Sequence, residues 1–400
     1  MSKPNTWLVK VTLLLASTLT VMSGATIAPS LPAMQEYFAE VANADFWVKL
    51  VLTVPALSIA IGSPIAGQMV DVLGRKPLLI GSTLLYGLAG GSGFVLDSLF
   101  AILGGRALLG LAVAGIMVSA TTLIADYFVG DRRANFMGLQ AAFMGFGGVL
   151  FLSVGGFIAD LNWRLPFLIY LFAWLLLPLM VWVLYEPEKV VVEVGDSVSP
   201  SATLSRLPVK LLAAIYASAL LMQIVFYIIP TQLPFYLKQI ANADATRSGL
   251  AIALSTFFSA ISSLNYGKIK QHFNFISILA LAFGLMGLGY VGIGIANAYW
   301  LVLLVLIPAG LGLGLLMPNL NVWTSQEVPD NLRGRALGGL TTFFFLGQFL
   351  SPIVTQPISQ NVGLAKTYGL SGILLVVLGL MLWSYRKTIC RFLASTAGQR

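Results

Sequence analysis

Residues 67–76 read Gly67-Gln68-Met69-Val70-Asp71-Val72-Leu73-Gly74-Arg75-Lys76, a short polar stretch pinched between two long apolar runs. Glycine at 67 and 74 allows a sharp reversal and close approach of backbones. Asp71 and Arg75 place opposite charges where one apolar run ends and the next begins. A connection that only carried basic residues would leave Asp71 and the glycine spacing without a purpose.

The flanking runs set the class. The 400 residues are 58% hydrophobic and 10% charged, against roughly a quarter charged in a soluble domain. The charges cluster between apolar runs of about twenty residues, each long enough to cross a bilayer core. Twelve spans are predicted, at 7–33, 47–70, 78–96, 98–125, 135–158, 165–184, 208–236, 247–266, 274–294, 299–322, 336–358 and 366–386. The fold class is therefore an all-α membrane protein. The single cysteine, Cys390, lies in the tail, so no internal disulfide forms, and the single histidine, His272, falls in a predicted loop. There is no metal-ligand cluster, nucleophile–base motif or phosphate-cradling loop. No metal, cofactor or enzymatic activity is expected.

The basic residues sort by face. Seventeen fall on one side, among them Lys10, Arg75, Lys76, Arg132, Arg133, Lys210, Lys268, Lys270, Arg333, Arg335 and Arg386. Five fall on the other, Lys49, Arg164, Lys238, Arg247 and Lys366, and Arg106 alone is read inside a span. This asymmetry predicts that both termini are cytoplasmic. The net charge of +8 is then a topology signal helped by anionic lipid, not a nucleic-acid footprint. The first run continues to Pro29-Ser30-Leu31-Pro32, too long for the core of a cleaved signal, and is read as an uncleaved span.

One long polar connection, 185–207, reads as a flexible linker. It divides the chain into an N-terminal six-helix bundle, 1–184, and a C-terminal bundle with a short tail, 208–400. The halves repeat at an offset of 200: Gly67-x-x-x-Asp71-x-x-Gly74 is echoed by Gly267-x-x-x-Gln271-x-x-Asn274, Arg133 and Gly138 by Arg333 and Gly338, and Gly147 by Gly347. Leu31-Pro32 is matched in kind by Leu233-Pro234. Several matches in order argue for a duplicated six-helix unit.

The opening stretch matches every defined position of G-x-x-x-D-x-x-G-R-[KR], and so resembles the signature loop of the major facilitator superfamily. The resemblance covers residues 7–386. It implies two pseudo-symmetric six-helix bundles, a substrate site between them near the midplane, and alternating access. Asp71 is then expected near the start of the eleventh span when the cytoplasmic side is shut, biasing one of two states. Asp126 is the expected partner of Arg75. The second half has Gln271 where the first has its acid.

Arg106 begins Arg106-Ala-Leu-Leu-Gly110, which resembles the family's R-x-x-x-G on the fourth span, a position tied there to proton coupling. It lies about eight residues, or roughly 12 Å, into the helix, where a charge costs about 2.5–3.5 kcal/mol and needs a partner. The alternative is an arginine satisfied by backbone carbonyls of the first span that only locks packing. Proton-coupled exporters of the family carry G-x8-G-x3-G-P-x2-G-G on the fifth span. Gly138, Gly147, Gly155 and Gly156 are in register, Phe151-Leu152 replaces Gly-Pro, and Ser351-Pro352 stands in the symmetric eleventh span. These glycines, with Gly110, Gly115 and Gly347, are also expected to pack helices closely.

By resemblance, the first, fourth, seventh and tenth spans line the cavity. Candidates are Thr20, Ser23, Thr26, Ser119, Thr122, Gln223, Tyr227, Gln232, Met317, Asn319 and Asn321. All fifteen acids lie at span ends or in loops, so no mid-membrane carboxylate is available to carry protons. The reading is a monomeric exporter of a small neutral or anionic amphipathic compound in the inner or plasma membrane, coupled to protons by resemblance. The alternatives are an exporter of a sugar, siderophore or other metabolite, a uniporter, and a receptor or scaffold that has lost transport.

Overall fold

A computed structural model describes residues 6–187 and 209–397, and these are helical nearly throughout. We number the spans α1 (Trp7–Tyr37), α2 (Ala44–Leu73), α3 (Arg75–Gly91), α4 (Leu99–Tyr127), α5 (Asp131–Leu161) and α6 (Leu165–Val183). The second six are α7 (Val209–Ala241), α8 (Ala245–Leu264), α9 (Phe275–Ile295), α10 (Tyr299–Glu327), α11 (Asp330–Val362) and α12 (Leu364–Ala397). Among the described residues, eleven of these are long and apolar enough to cross a membrane. The exception is α3, whose 17 residues rise only about 25 Å. A 3-10 turn at Ser92–Phe94 adds about 6 Å and brings it to bilayer length.

Two expectations about ends are corrected. The loop holding His272 is a short helix, Tyr266–His272, with the imidazole exposed. The last helix does not stop at 386 but continues through position 390 to Ala397. Beyond Pro187 the proposed linker lies outside the described residues.

The duplication is visible in the helices. α4 and α10 each have 29 residues, and Leu99–Tyr127 becomes Tyr299–Glu327 at the offset of 200. α1 and α7 are both interrupted. In α1 the break is a 3-10 turn at Ala28–Ser30, beside Pro29 and Pro32. In α7 it falls at Tyr227, ahead of Pro230. Proline supplies no N–H, so the carbonyl four residues back loses its helical donor. Buried tyrosines donate to carbonyls of both helices, on α7 at the break itself and on α1 in the turns before it. Tyr170 Oη donates to Ser23 O at 3.2 Å and Tyr86 Oη to Leu19 O at 2.7 Å. Tyr290 Oη reaches Val225 O at 2.7 Å and Phe226 O at 3.1 Å, and Tyr368 Oη reaches Ile228 O at 3.0 Å. In a bilayer every such carbonyl must find a donor inside the protein.

Candidate transport site and its gates

The signature stretch is the hinge from α2 to α3. Gly74 has φ +96°, a conformation that side chains disfavour, and a Cβ there would lie 2.7 Å from Glu186 Oε1. That carboxylate explains the crowding. Its two oxygens accept the backbone N–H groups of Arg75 and Lys76, both at 2.7 Å, and so occupy open donors at the start of α3. Arg75 Nε donates to Asp126 Oδ2 at 3.1 Å. Lys76 Nζ donates to Val181 O and Leu184 O at 2.7 Å each. The Tyr185 ring stacks on Tyr127 at 4.4 Å, and burial and Asp126 raise the Tyr185 phenol above its ordinary pKa. Residues 185 and 186, read from sequence as flexible linker, are instead docked on this loop. Their separation from it by more than a hundred residues hid the contact. An acid before a proline at the end of α6 was the available signal.

Arg106 is buried on α4, and each of its three nitrogens donates to a partner in the first six helices. Nη1 donates to Tyr170 Oη at 2.9 Å and Nη2 to Ser23 O at 2.5 Å. Nε donates to Val51 O at 2.9 Å. Val51 lies four residues before Pro55 inside α2, so its carbonyl is the one that proline leaves without a donor. Arg106 thus repairs two interruptions, one in α1 and one in α2. The sequence reading did not connect it with Pro55.

The cavity candidates divide. Ser23 (2% exposed), Gln223 (1%) and Gln232 (0%) are buried near the breaks of α1 and α7. Among the described residues neither amide atom of Gln223 has a hydrogen-bond partner, and Gln232 Nε2 donates to Thr355 Oγ1 at 2.9 Å while its Oε1 is unmet. A Cβ on Gly24 would sit 3.0 Å from Tyr227 Oη, joining the two breaks. Thr20, Thr26, Ser119 and Thr122 each donate to a carbonyl of their own helix at 2.6–2.8 Å. Met317 is half-buried and Asn321 exposed. Asn319 points elsewhere: its Nδ2 donates to Phe275 O at 3.0 Å and its Oδ1 accepts from Tyr266 Oη at 3.3 Å.

Small residues mark where helices touch. Added side-chain atoms would collide with Pro55 O at Gly110, Ser82 Oγ at Gly115, Thr26 O at Gly155, Ala245 O at Gly156 and Leu220 O at Gly347. A Cβ on Gly147 would lie 3.1 Å from Thr18 Cβ. Pro352 sits inside α11, next to Ser351, whose Oγ donates to Ile224 O at 2.7 Å. Gly67, Gly138 and Gly338 meet open space. All three lie toward the face that carries Arg75, Arg133 and Arg333, here the basic face. Asp71 is exposed on the last turn of α2 at that face.

At the opposite face the first six helices bond to the last six. Asp160 carboxylate oxygens accept Ala245 N at 2.7 Å and Thr246 N at 3.0 Å, capping α8. Glu36 pairs with Lys238. Asp45 Oδ2 accepts Gln356 Nε2 and Gln360 Nε2, both at 2.7 Å, and Lys49 Nζ donates to Gln356 Oε1. The sequence reading set Lys49 on the surface and left Arg106 as the sole charge within a span. That is corrected here: Lys49 lies inside α2 and is 4% exposed. Its nearness to the end of an apolar run disguised it as a flanking residue.

The sequence profile of the Major Facilitator Superfamily matches residues 13–352. Quinolone resistance protein NorA of Staphylococcus aureus (strain MSSA476) is 22% identical over 355 residues, covering 87% of this chain and 91% of its own length. Multi-drug resistance efflux pump PmrA of Streptococcus pneumoniae serotype 4 is 24% identical over 352 residues, covering 86% and 88%. Among solved structures, the xylose transporter XylE from E. coli in an inward-open conformation superposes with a TM-score of 0.73 at 14% identity, covering 94% of this chain and 95% of that one. A bacterial homolog of the human lysosomal transporter Spinster superposes at 0.75 with 14% identity, covering 94% and 95%. The chain belongs to the Major Facilitator Superfamily, a family of membrane transporters and not of enzymes.

Proposed function

We propose that this chain is a secondary exporter of small amphipathic compounds, neutral or anionic, that works by alternating access in the cell membrane as a monomer. The basic face is the cytoplasmic one, by the positive-inside rule. The observation that carries the reading is the distribution of contacts between the bundles. Glu36, Asp45, Lys49 and Asp160 of the first six helices bond across the opposite face to Lys238, Gln356, Gln360 and the start of α8. At the basic face Gly67 and Gly338 meet open space. One access state of a two-state transporter has this form. The quinolone resistance and multidrug efflux named for NorA and PmrA support export of drug-like molecules.

Coupling to protons is the reading that the resemblance supports, with Asp71 and Asp126 placed at the cytoplasmic gate. Uniport is favoured by one feature, the confinement of every acid to span ends and loops. The test is made in proteoliposomes with an internal pH dye and a panel of neutral, anionic and cationic amphiphiles. Export by antiport predicts proton flux that depends on the added compound and is slowed several-fold in Asp71→Asn. Movement of a compound without proton flux would establish uniport. Movement of none would remove the export reading.

A further inference from the structure

The two buried cations of this chain differ in what holds them. Arg106 is bonded wholly inside the first bundle, to Ser23, Val51 and Tyr170. Lys49 is held across the interface. Its ammonium donates to Gln356 Oε1 on α11 and lies 4.9 Å from the ring centroid of Phe235 on α7. Asp45 lies one turn earlier on α2, its carboxylate turned to the amides of Gln356 and Gln360. Among the described residues no carboxylate oxygen lies within 4.0 Å of Lys49 Nζ. Lys49 is therefore a buried ammonium with one neutral acceptor, one ring face and spare donor capacity.

Its place is as telling as its partners. Lys49 is five residues past the start of α2 at Ala44, about 8 Å into the span. An ionisable group at such depth faces the interior of the bundle and marks a substrate or ion path. When α2 and α11 separate to open the outer face, Lys49 leaves Gln356 and stays on the wall of the opening. A compound leaving by that route meets the Lys49 ammonium there, with Asp45 one turn earlier on the same helix.

We propose that Lys49 is the anion-recognition residue of the exit path, and that the transported compound is an organic anion whose carboxylate or sulfonate takes the place of Gln356 on the ammonium. This rests on the export reading and narrows it to one charge class. An anion at Lys49 also offsets the loss of the Gln356 bond, so it favours the separation of α2 from α11.

The test compares efflux of naphthalenesulfonate with that of its neutral sulfonamide from proteoliposomes, taken as a ratio so that effects common to both cancel. Lys49→Gln is expected to lower the ratio about tenfold, the scale of one lost charge-assisted contact. Lys49→Arg should keep most of it. Gln356→Glu supplies an internal carboxylate to the ammonium and should lower the ratio too, with Lys49 still present. Lys366→Gln, an exposed lysine on the same face, should leave the ratio as it was. An unchanged ratio in both Lys49→Gln and Gln356→Glu overturns the proposal. So does wild-type protein that moves the sulfonamide and not the sulfonate, while the export reading survives. Wild type that moves neither overturns the proposal and leaves the export reading to the wider panel.

Discussion

The two halves share a skeleton and differ in chemistry. At the basic face the first half is charged: Arg75 bonds Asp126 at 3.1 Å, and Glu186 holds the start of α3. At the offset of 200 the second half has Phe275, Gln326 and Gln271 for Arg75, Asp126 and Asp71. Phe275 stacks on Trp323 at 5.4 Å and 4° where the first half has its ion pair, and Asn274 Oδ1 caps α9 through Ser277 N at 2.8 Å. The interior shows the same contrast. Arg106 on α4 corresponds to Leu306 on α10, which is fully buried. Pro55 in α2 corresponds to Ser255 in α8. Ser255 keeps its N–H and can continue the helical ladder, so α8 leaves no carbonyl for a guanidinium to fill. The arginine and the proline belong together, and the second half has neither.

The sharpest test exchanges these residues. Leu306→Arg buries a guanidinium at a site shaped for leucine and should cost about 3–5 kcal/mol, the scale of an uncompensated buried charge. Arg106→Leu strips the donor from Val51 O and should cost about 1–3 kcal/mol. Adding Pro55→Ser returns an N–H to that carbonyl and should recover about 1 kcal/mol of the loss. Thermal unfolding in detergent measures all three. Strict additivity of Arg106→Leu and Pro55→Ser would break the link between the two residues. If the double variant recovers stability without recovering efflux, Arg106 has a role in transport beyond the repair.

The hinge gives a smaller contrast. Gly74→Ala must hold alanine at φ +96° against Glu186, which should cost about 1–3 kcal/mol. Asn274→Ala removes a side-chain cap and should cost about 1 kcal/mol. Equal losses in the two variants would mean that Glu186 does not crowd Gly74 in solution.

Much of this was legible in the sequence. The apolar runs gave the spans, the opening stretch gave the family resemblance, and the 200-residue offset gave the duplication. What escaped were partners set by tertiary folding. Glu186 meets Arg75 across 111 positions and Lys49 meets Gln356 across 307, with no periodicity to join them. The tyrosines on α3, α6, α9 and α12 read as ordinary apolar filler, because nothing local says that a carbonyl on α1 or α7 needs a donor. Arg106 was singled out as costly, but its partners depend on a proline in another helix.

The smallest effect on stability belongs to the basic face itself. Gly67 and Gly338 sit inside α2 and α11 and meet open space in this state. Alanine there removes a flexible glycine from a helix and should raise stability by up to about 1 kcal/mol each. If the basic face closes in the other access state, α2 and α11 approach there and the added methyl groups stand in the way. Efflux should then fall several-fold in Gly67→Ala and Gly338→Ala while the unfolding temperature holds or rises. That combination separates a gate from a packing defect, since a defect lowers both. Unchanged efflux in both variants would mean that closure at this face does not run through these two glycines. The charged hinge of the first half would then have to act on some other part of α11.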